Sequence, residues 1–323
     1  MKYKSCHLIE HGIFFGLNKV SICCMLPNIL SYQVPLIDNY HGEKINWEDI
    51  KQKKRIYRNM FKEGKILPTC EGCYNLEEQD WPDNDTIDCL FISHWSHCNC
   101  NCSYCYFDRR KKFYNSYQNY KLLPILQDMQ KNKMIGSNSY VCFGGGEPTI
   151  LDEFKDILEL LYTENFKTII INSSGILYDK VLAKGIESGK VELTVSLDCG
   201  DAKLFKKIKR INKYNDVVKN LKKYVAKQGE NNLVRVKYII IPTLNDTIDD
   251  VEKWIKTIFD IGVKTIILDV ETVWFKKHRN NIPRHIYELI QYTQKRAEEL
   301  NLDLQYYSHA SQIVHEHKEL KPV

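Results

Sequence analysis

The sequence contains no run of about 18 apolar residues, the length needed for a helix to cross a bilayer, so no membrane-spanning helix is expected. It has no N-terminal secretion signal: MKYKSCHLIE carries Cys6 and Glu10 and has no apolar core. These two absences point to a cytoplasmic protein. Charge of one sign is nowhere concentrated. The 46 Lys and Arg stand against 41 Asp and Glu for a net +5, and the two signs are interspersed without a long block. That pattern is expected of a solvated mixed surface rather than a nucleic-acid face. There is no low-complexity segment and no internal repeat. With 43% hydrophobic and 27% charged residues over 323 positions, the chain has the composition of a globular protein long enough for one large α/β unit and a small appendage.

Cysteine is abundant. A reducing compartment disfavours disulfides, so twelve cysteines in clusters argue for metal or catalysis. Cys98, Cys100, Cys102 and Cys105 fall within eight residues of SHWSHCNCNCSYCYFDRR, positions 93–110. Cys6, Cys23, Cys24, Cys70 and Cys73 lie in the first quarter. Cys89, Cys142 and Cys199 stand alone in apolar or strand-like runs and are expected to be buried thiols.

The pattern changes along the chain. Before residue 80 it is irregular, with a hairpin expected from Ile13–Phe15 and Val20–Ile22 around Gly16–Asn18, and a charged helix at Trp47–Glu63 closed by Gly64 and Pro68. From residue 86, apolar runs alternate with amphipathic segments. The runs are Ile87–Ser93, Tyr140–Phe143, Thr168–Ile171, Val191–Leu197, Val234–Ile241 and Thr265–Val270. Helices are expected near 119–132, 151–163, 178–188, 202–227, 247–260 and 284–300. Strand followed by helix, six times over, implies a parallel sheet with helices outside it, either open or closed towards a barrel. Leu302–Tyr307 adds a possible strand, after which the tail is expected to fray.

An iron–sulfur cluster needs several cysteines on one loop so that their sulfurs converge. A four-iron cluster with only three protein thiolates keeps one iron free for another ligand. Cys98, Cys102 and Cys105 supply three directly after the first strand of the repeat, and loops leaving strand C-termini are where parallel barrels place their active sites. A zinc site built from some of the four cysteines is the alternative, although zinc ligands usually come as separated pairs.

This CxxxCxxC spacing, with Tyr104 before the last cysteine, resembles the radical S-adenosylmethionine (radical SAM) superfamily. Further motifs, each weak alone, fall in order at strand ends. Gly144-Gly145-Gly146-Glu147-Pro148 resembles the family's GGEP, Ile171-Asn172-Ser173-Ser174-Gly175 stands where relatives often read T-N-G, and Ser196-Leu197-Asp198 is similar to S-x-D. The resemblance implies a partial (β/α)6 barrel over 83–308, a tail at 309–323, and a [4Fe–4S] cluster on Cys98, Cys102 and Cys105 whose free iron chelates SAM. It also implies SAM contacts from Tyr104, Gly145, Gly146, Glu147, Pro148, Asn172 or Ser174, Ser196 and Asp198, with Arg210 a partner for the SAM carboxylate. Cys100 is not a ligand on this reading. In the family a flavodoxin- or ferredoxin-type donor reduces the cluster, SAM is cleaved to a 5′-deoxyadenosyl radical, and that radical abstracts hydrogen from the substrate. Val234–Ile241 puts Arg235 and Lys237 on one face, where Lys237 is a candidate catalytic cation if that face is interior.

Residues 1–82 resemble a twitch (SPASM-like) module: Cys6, Cys23, Cys70 and Cys73 imply a second, auxiliary [4Fe–4S] cluster, with Cys24 competing for the position of Cys23. Structural zinc is the alternative there. The substrate expected from such relatives is a peptide or a sugar-like molecule. No separate leader-binding domain is evident. Arg109, Arg110, Lys111 and Lys112 could meet an anionic substrate or simply begin a solvated helix. His94 and His97 flank the loop in a structural role. A non-enzymatic zinc-binding interaction protein is the reading that would deny SAM binding altogether.

Overall fold

The computed structural model describes residues 2–23, 34–71, 73, 75–105, 120–163 and 166–316. Cys24 and Arg109–Lys112 lie outside the described residues. The chain divides into two compact units, residues 1–97 with 109–170, and residues 98–108 with 171–323.

The first unit contains β1 (Tyr3–Ser5), α1 (His7–His11), β2 (Gly12–Phe15), β3 (Lys19–Ser21), β4 (Pro35–Asp38), α2 (Trp47–Lys62), β5 (Glu77–Gln79), β6 (Ile87–Ile92), α3 (Leu123–Lys131), β7 (Ile135–Phe143) and α4 (Phe154–Thr163). The expected hairpin is present, with β2 and β3 antiparallel and Phe15 opposite Val20. Its other edge pairs in parallel with β6, Gly12 opposite Cys89 and Phe15 opposite Ile92, so the N-terminal strands continue the sheet that β6 begins. Strand order in this part of the sheet is β7-β6-β2-β3-β4. Helix α2 starts at an Asn46 cap whose side chain accepts the Glu48 N–H, and it buries Trp47, Ile50 and Phe61. Lys54, on the same face, is 1% exposed. Its ammonium donates to the carbonyls of Ile9 and Gly12, and burial pushes it down to about 7.

Strand β8 (Thr168–Ser173) crosses into the second unit at Ile171. There follow α5 (Lys180–Glu187), β9 (Val191–Ser196), α6 (Ala202–Lys209), α7 (Tyr214–Val225), β10 (Val234–Ile240), α8 (Ile248–Ile261), β11 (Thr265–Val270), α9 (Thr272–His278), α10 (Arg284–Glu299), β12 (Asp303–Tyr306) and α11 (Ser308–Glu316). The order is β12-β11-β10-β9-β8, and the pairs β9·β10, β10·β11 and β11·β12 are parallel. This is the mixed α/β fold with a parallel sheet that the repeated pattern implies. Asp179, Asp201 and Thr247 cap α5, α6 and α8 by accepting N–H groups, so each strand-to-helix loop ends on a residue suited to that task.

Two expectations fail. The single helix at 202–227 is two helices, broken at Arg210, which adopts φ +59°. The last carbonyls of α6 are taken by another loop instead of by a continuing helix. The tail after Tyr307 does not fray at once: α11 forms because the Asp269 carboxylate accepts the N–H groups of His309 and Ala310 at its start. Among the described residues, no helix is long and apolar enough to cross a membrane.

Candidate active site

In the second unit, residues 98–105 follow a loop whose backbone is held from below by α6. The Asn101 N–H donates to the Lys209 carbonyl at 3.1 Å and the Ser103 N–H to the Ile208 carbonyl at 2.8 Å. Cys98, Cys102 and Cys105 are half-buried, while Cys100 is buried. Cys100 turns its N–H towards the Cys98 sulfur at 3.4 Å, and its thiol hydrogen-bonds to the sulfurs of Cys102 and Cys98, which holds it protonated. The Cys102 thiol is pushed down to about 6, first by the Cys100 hydrogen bond and then by the charge of Lys209 against the cost of burial. A thiolate at neutral pH is what metal ligation requires.

Does the loop fit a cluster? Three thiols on one short loop form the right donor set. Asn99 Nδ2 and Ser103 Oγ are buried without a hydrogen-bond partner among the described residues, polar atoms that a bound group could meet. No group of three or more His, Cys, Asp or Glu side chains among the described residues is arranged around a single ion. Cluster ligands need no such arrangement, because each thiolate sits on a different iron. Ser174 Oγ donates to Asn99 Oδ1 at 3.0 Å, so the end of β8 reaches the loop, and Asn172 sits half-buried two residues earlier.

Beneath the loop lies a buried polar triad. The Tyr104 hydroxyl and the Lys209 ammonium both donate to Asp198 Oδ2, and Lys209 also donates to the Tyr104 hydroxyl at 2.8 Å. The second Asp198 oxygen accepts the Ile239 N–H at 2.8 Å. Asp198 is fully buried and holds φ +61°, a left-handed conformation that Asp tolerates better than most residues. Its carboxylate, expected at SAM, is thus occupied by protein donors. Arg210, expected at the SAM carboxylate, is exposed, and its neighbour Lys209 is the cation turned inward. Nothing in the motif sequence singles out Lys209. The one available signal is that Lys209 lies four residues after Phe205, on the buried face of α6.

Ser196 and Lys237 are partners across β9 and β10 and share the face that carries Arg235. Arg235 is paired with Glu192 at 2.8 Å. The Lys237 ammonium stands 5.8 Å over the Tyr307 ring, and on the next strand Asp269, opposite Ile239, is pushed up to about 6 by burial. The strand alternation put Arg235 and Lys237 together correctly, but Asp269 and Tyr307 join this polar face only through strand pairing.

In the first unit, the GGEP segment lies against residues 93–97. The Gly146 N–H donates to Trp95 O and the Glu147 N–H to His97 O. Gly145 has φ +95°, and a Cβ on Gly146 would lie 2.0 Å from His97 O. The spacing therefore demands glycine. Gly146→Ala is expected to lower the thermal midpoint by several degrees, since a backbone clash of this kind costs about 1–3 kcal/mol, which differential scanning calorimetry would register. Glu147 is 1% exposed, and its Oε1 accepts both the N–H and the hydroxyl of Thr149 in the turn that begins at Pro148. His94 is buried and bonded to Glu153, the structural role expected of it.

Of the N-terminal cysteines, Cys6 caps α1 with its sulfur, which accepts the Ile9 N–H at 3.4 Å. Burial pushes its thiol up to about 11, and Cys70 and Cys73 are near enough to add to that shift. Position 6 thus lies within electrostatic reach of a pair more than sixty positions away. Cys23 is half-buried. Cys89 and Cys199 are buried as expected, whereas Cys142 is half-buried.

A parallel α/β sheet with three half-buried cysteines on one short loop is the arrangement of a cluster-dependent enzyme class. The chain belongs to the radical SAM superfamily, whose sequence profile matches residues 92–258. It is 28% identical over 158 residues to GTP 3′,8-cyclase of Haemophilus influenzae, covering 49% of this chain and 46% of that protein. It is also 28% identical over 176 residues to a probable GTP 3′,8-cyclase of Methanococcus aeolicus, covering 51% and 56%. The chain thus spans about half the length of the curated relatives it matches. Among solved structures it resembles Streptococcus suis SuiB bound to precursor peptide SuiA, with TM-score 0.56 and 15% identity over 90% of this chain and 60% of that one. It also resembles anSMEcpe with bound AdoMet, with TM-score 0.52 and 17% identity over 67% and 61%. At these identities the structural likenesses establish the fold.

Proposed function

We propose that this chain holds a [4Fe–4S] cluster on Cys98, Cys102 and Cys105, binds SAM beside it, and modifies a peptide or sugar-like substrate by hydrogen abstraction. The observation that carries this reading is the cluster loop itself: three half-buried thiols, one of them depressed to about 6, next to a buried Asn99 Nδ2 with no partner among the described residues. Cys98, Cys102 and Cys105 would hold the cluster, and a flavodoxin- or ferredoxin-type donor would supply through it the one electron needed for reductive cleavage of SAM to methionine and a 5′-deoxyadenosyl radical. The chain's own residues orient and enclose. Gly145, Gly146, Glu147 and Pro148 shape a close backbone approach for the SAM ammonium, and Glu147 supplies the carboxylate. Asn172, Ser174 and Ser196 are the polar side chains for its ribose and methionine end. Tyr104 and Asp198 hold the loop, and Lys237 is the cation proposed to meet substrate.

A second reading of the substrate is a purine nucleotide. The curated relatives' name favours it, and the Lys237 ammonium on β10, opposite Ser196, suits an anionic ligand. Cys6, Cys23, Cys70 and Cys73 are proposed to carry a second [4Fe–4S] cluster, with the approach of Cys6 to Cys70 and Cys73 in support.

Iron, sulfide and zinc analysis of anaerobically reconstituted protein tests the second cluster. Wild type is expected to hold about eight irons, and the Cys6→Ala/Cys70→Ala/Cys73→Ala variant about four with SAM cleavage retained. One zinc beside about four irons would assign the N-terminal site to structural zinc instead.

A further inference from the structure

Lys209 ends α6 with its side chain 3% exposed, an unusual place for an ammonium. It touches the cluster loop twice. Its carbonyl accepts the Asn101 N–H, between Cys100 and Cys102, and its ammonium donates to the Tyr104 hydroxyl, between Cys102 and Cys105. The ammonium also stands 5.1 Å from the centre of the Tyr104 ring.

The other end of this latch is equally fixed. The Asp198 carboxylate that anchors the ammonium accepts the Ile239 N–H, and the Asp198 carbonyl accepts the Asn245 amide at 2.8 Å. Asn245, fully buried, bonds also to Ile239 O and Ile241 N–H, so the anchor is tied to β10 and the loop after it. A buried ion pair is not needed for stability, since a well-packed apolar pair of similar volume often serves folding as well or better. What an apolar pair cannot do is donate to the Tyr104 hydroxyl.

We propose that Lys209 is the positioning residue of the cluster loop: clamped on Asp198, it holds Tyr104 and the 101–103 backbone so that Cys102 and Cys105 keep their ligand spacing before any iron arrives. The inference rests on the proposed cluster site.

The test uses the full chain. The pair variant Asp198→Asn/Lys209→Met removes the latch and leaves no buried charge. In metal-free protein, amides of residues 98–105 are expected to exchange hydrogen at least about tenfold faster than in wild type while those of β10 keep their rate. Lys209→Arg, which keeps a cation between Asp198 and Tyr104, is expected to hold exchange at 98–105 close to wild type. Wild-type exchange at 98–105 in the pair variant overturns the proposal and leaves a purely structural ion pair. Should the pair variant not fold, Tyr104→Phe, which deletes one hydroxyl and keeps the ion pair, decides. Faster exchange at 103–105 with an unchanged melting temperature supports the latch, and an unchanged rate refutes it. Wild type that takes up no iron would sink the proposed cluster site, while the exchange arms would still report on the latch.

Discussion

Replacing Cys98, Cys102 and Cys105 together by alanine is expected to abolish SAM cleavage to 5′-deoxyadenosine and to lower bound iron by about four atoms per chain. The loss is all-or-none because these thiols are the only proposed ligands of the cluster that meets SAM, and no neighbouring oxygen or nitrogen replaces three thiolates. Folding should survive. The three side chains are half-buried in a loop whose backbone is held independently by the Ile208 and Lys209 carbonyls, so the melting temperature of the metal-free triple variant should stay close to wild type. Cys100→Ala is the matching control. Cys100 sits between the ligands as a protonated thiol, so its loss should leave the iron content intact. Anaerobic reconstitution followed by iron analysis and product chromatography checks both. Zinc in place of iron in wild type would return the loop to a structural metal site and remove the radical chemistry.

The largest effect on stability is expected at Asp198. Asp198→Ala leaves the Lys209 ammonium buried without its carboxylate, and breaking a buried pair from one side costs about 3–5 kcal/mol. The Ile239 N–H loses its acceptor, and alanine must adopt the left-handed φ of +61° that Asp accepts more readily. Asp198→Asn keeps that conformation and an acceptor for Ile239, so it should retain a substantial part of what alanine loses. Urea unfolding of the two variants separates the contributions. A cost for Asp198→Ala below about 1 kcal/mol would mean that Lys209 turns out to solvent once released.

Much of this was legible beforehand. Strands at Thr168, Val191, Val234 and Thr265 start where the apolar runs start, because a strand buried by helices must be apolar along its length. The helix caps Asp179, Asp201 and Thr247 could be read from residue type alone. Strand β7 is less transparent: it begins at Ile135, five residues before the apolar run at Tyr140, because Ile135 pairs with Ile87 across a register shift and the Gly-Ser-Asn-Ser between is carried along by that pairing. The break within 202–227 has a related cause. The apolar period continues through Ile208 and on to Val217, and only the two loop N–H groups that claim the carbonyls of Ile208 and Lys209 end α6.

The sequence by itself determined the chemistry available to this protein: three cysteines at CxxxCxxC spacing, glycines where a Cβ would strike a carbonyl, and a repeated strand–helix period that places both at the C-terminal ends of strands. Those are local properties, written in residue type and spacing. Only the tertiary structure decided which groups that chemistry meets. It set Cys6 within electrostatic reach of Cys70 and Cys73, paired the Asp198 carboxylate with Tyr104, Lys209 and the Ile239 N–H, and turned Lys209 rather than Arg210 inward. The physical reason is that burial and pairing of a charge depend on partners distant in sequence, and neither propensity nor spacing carries that information.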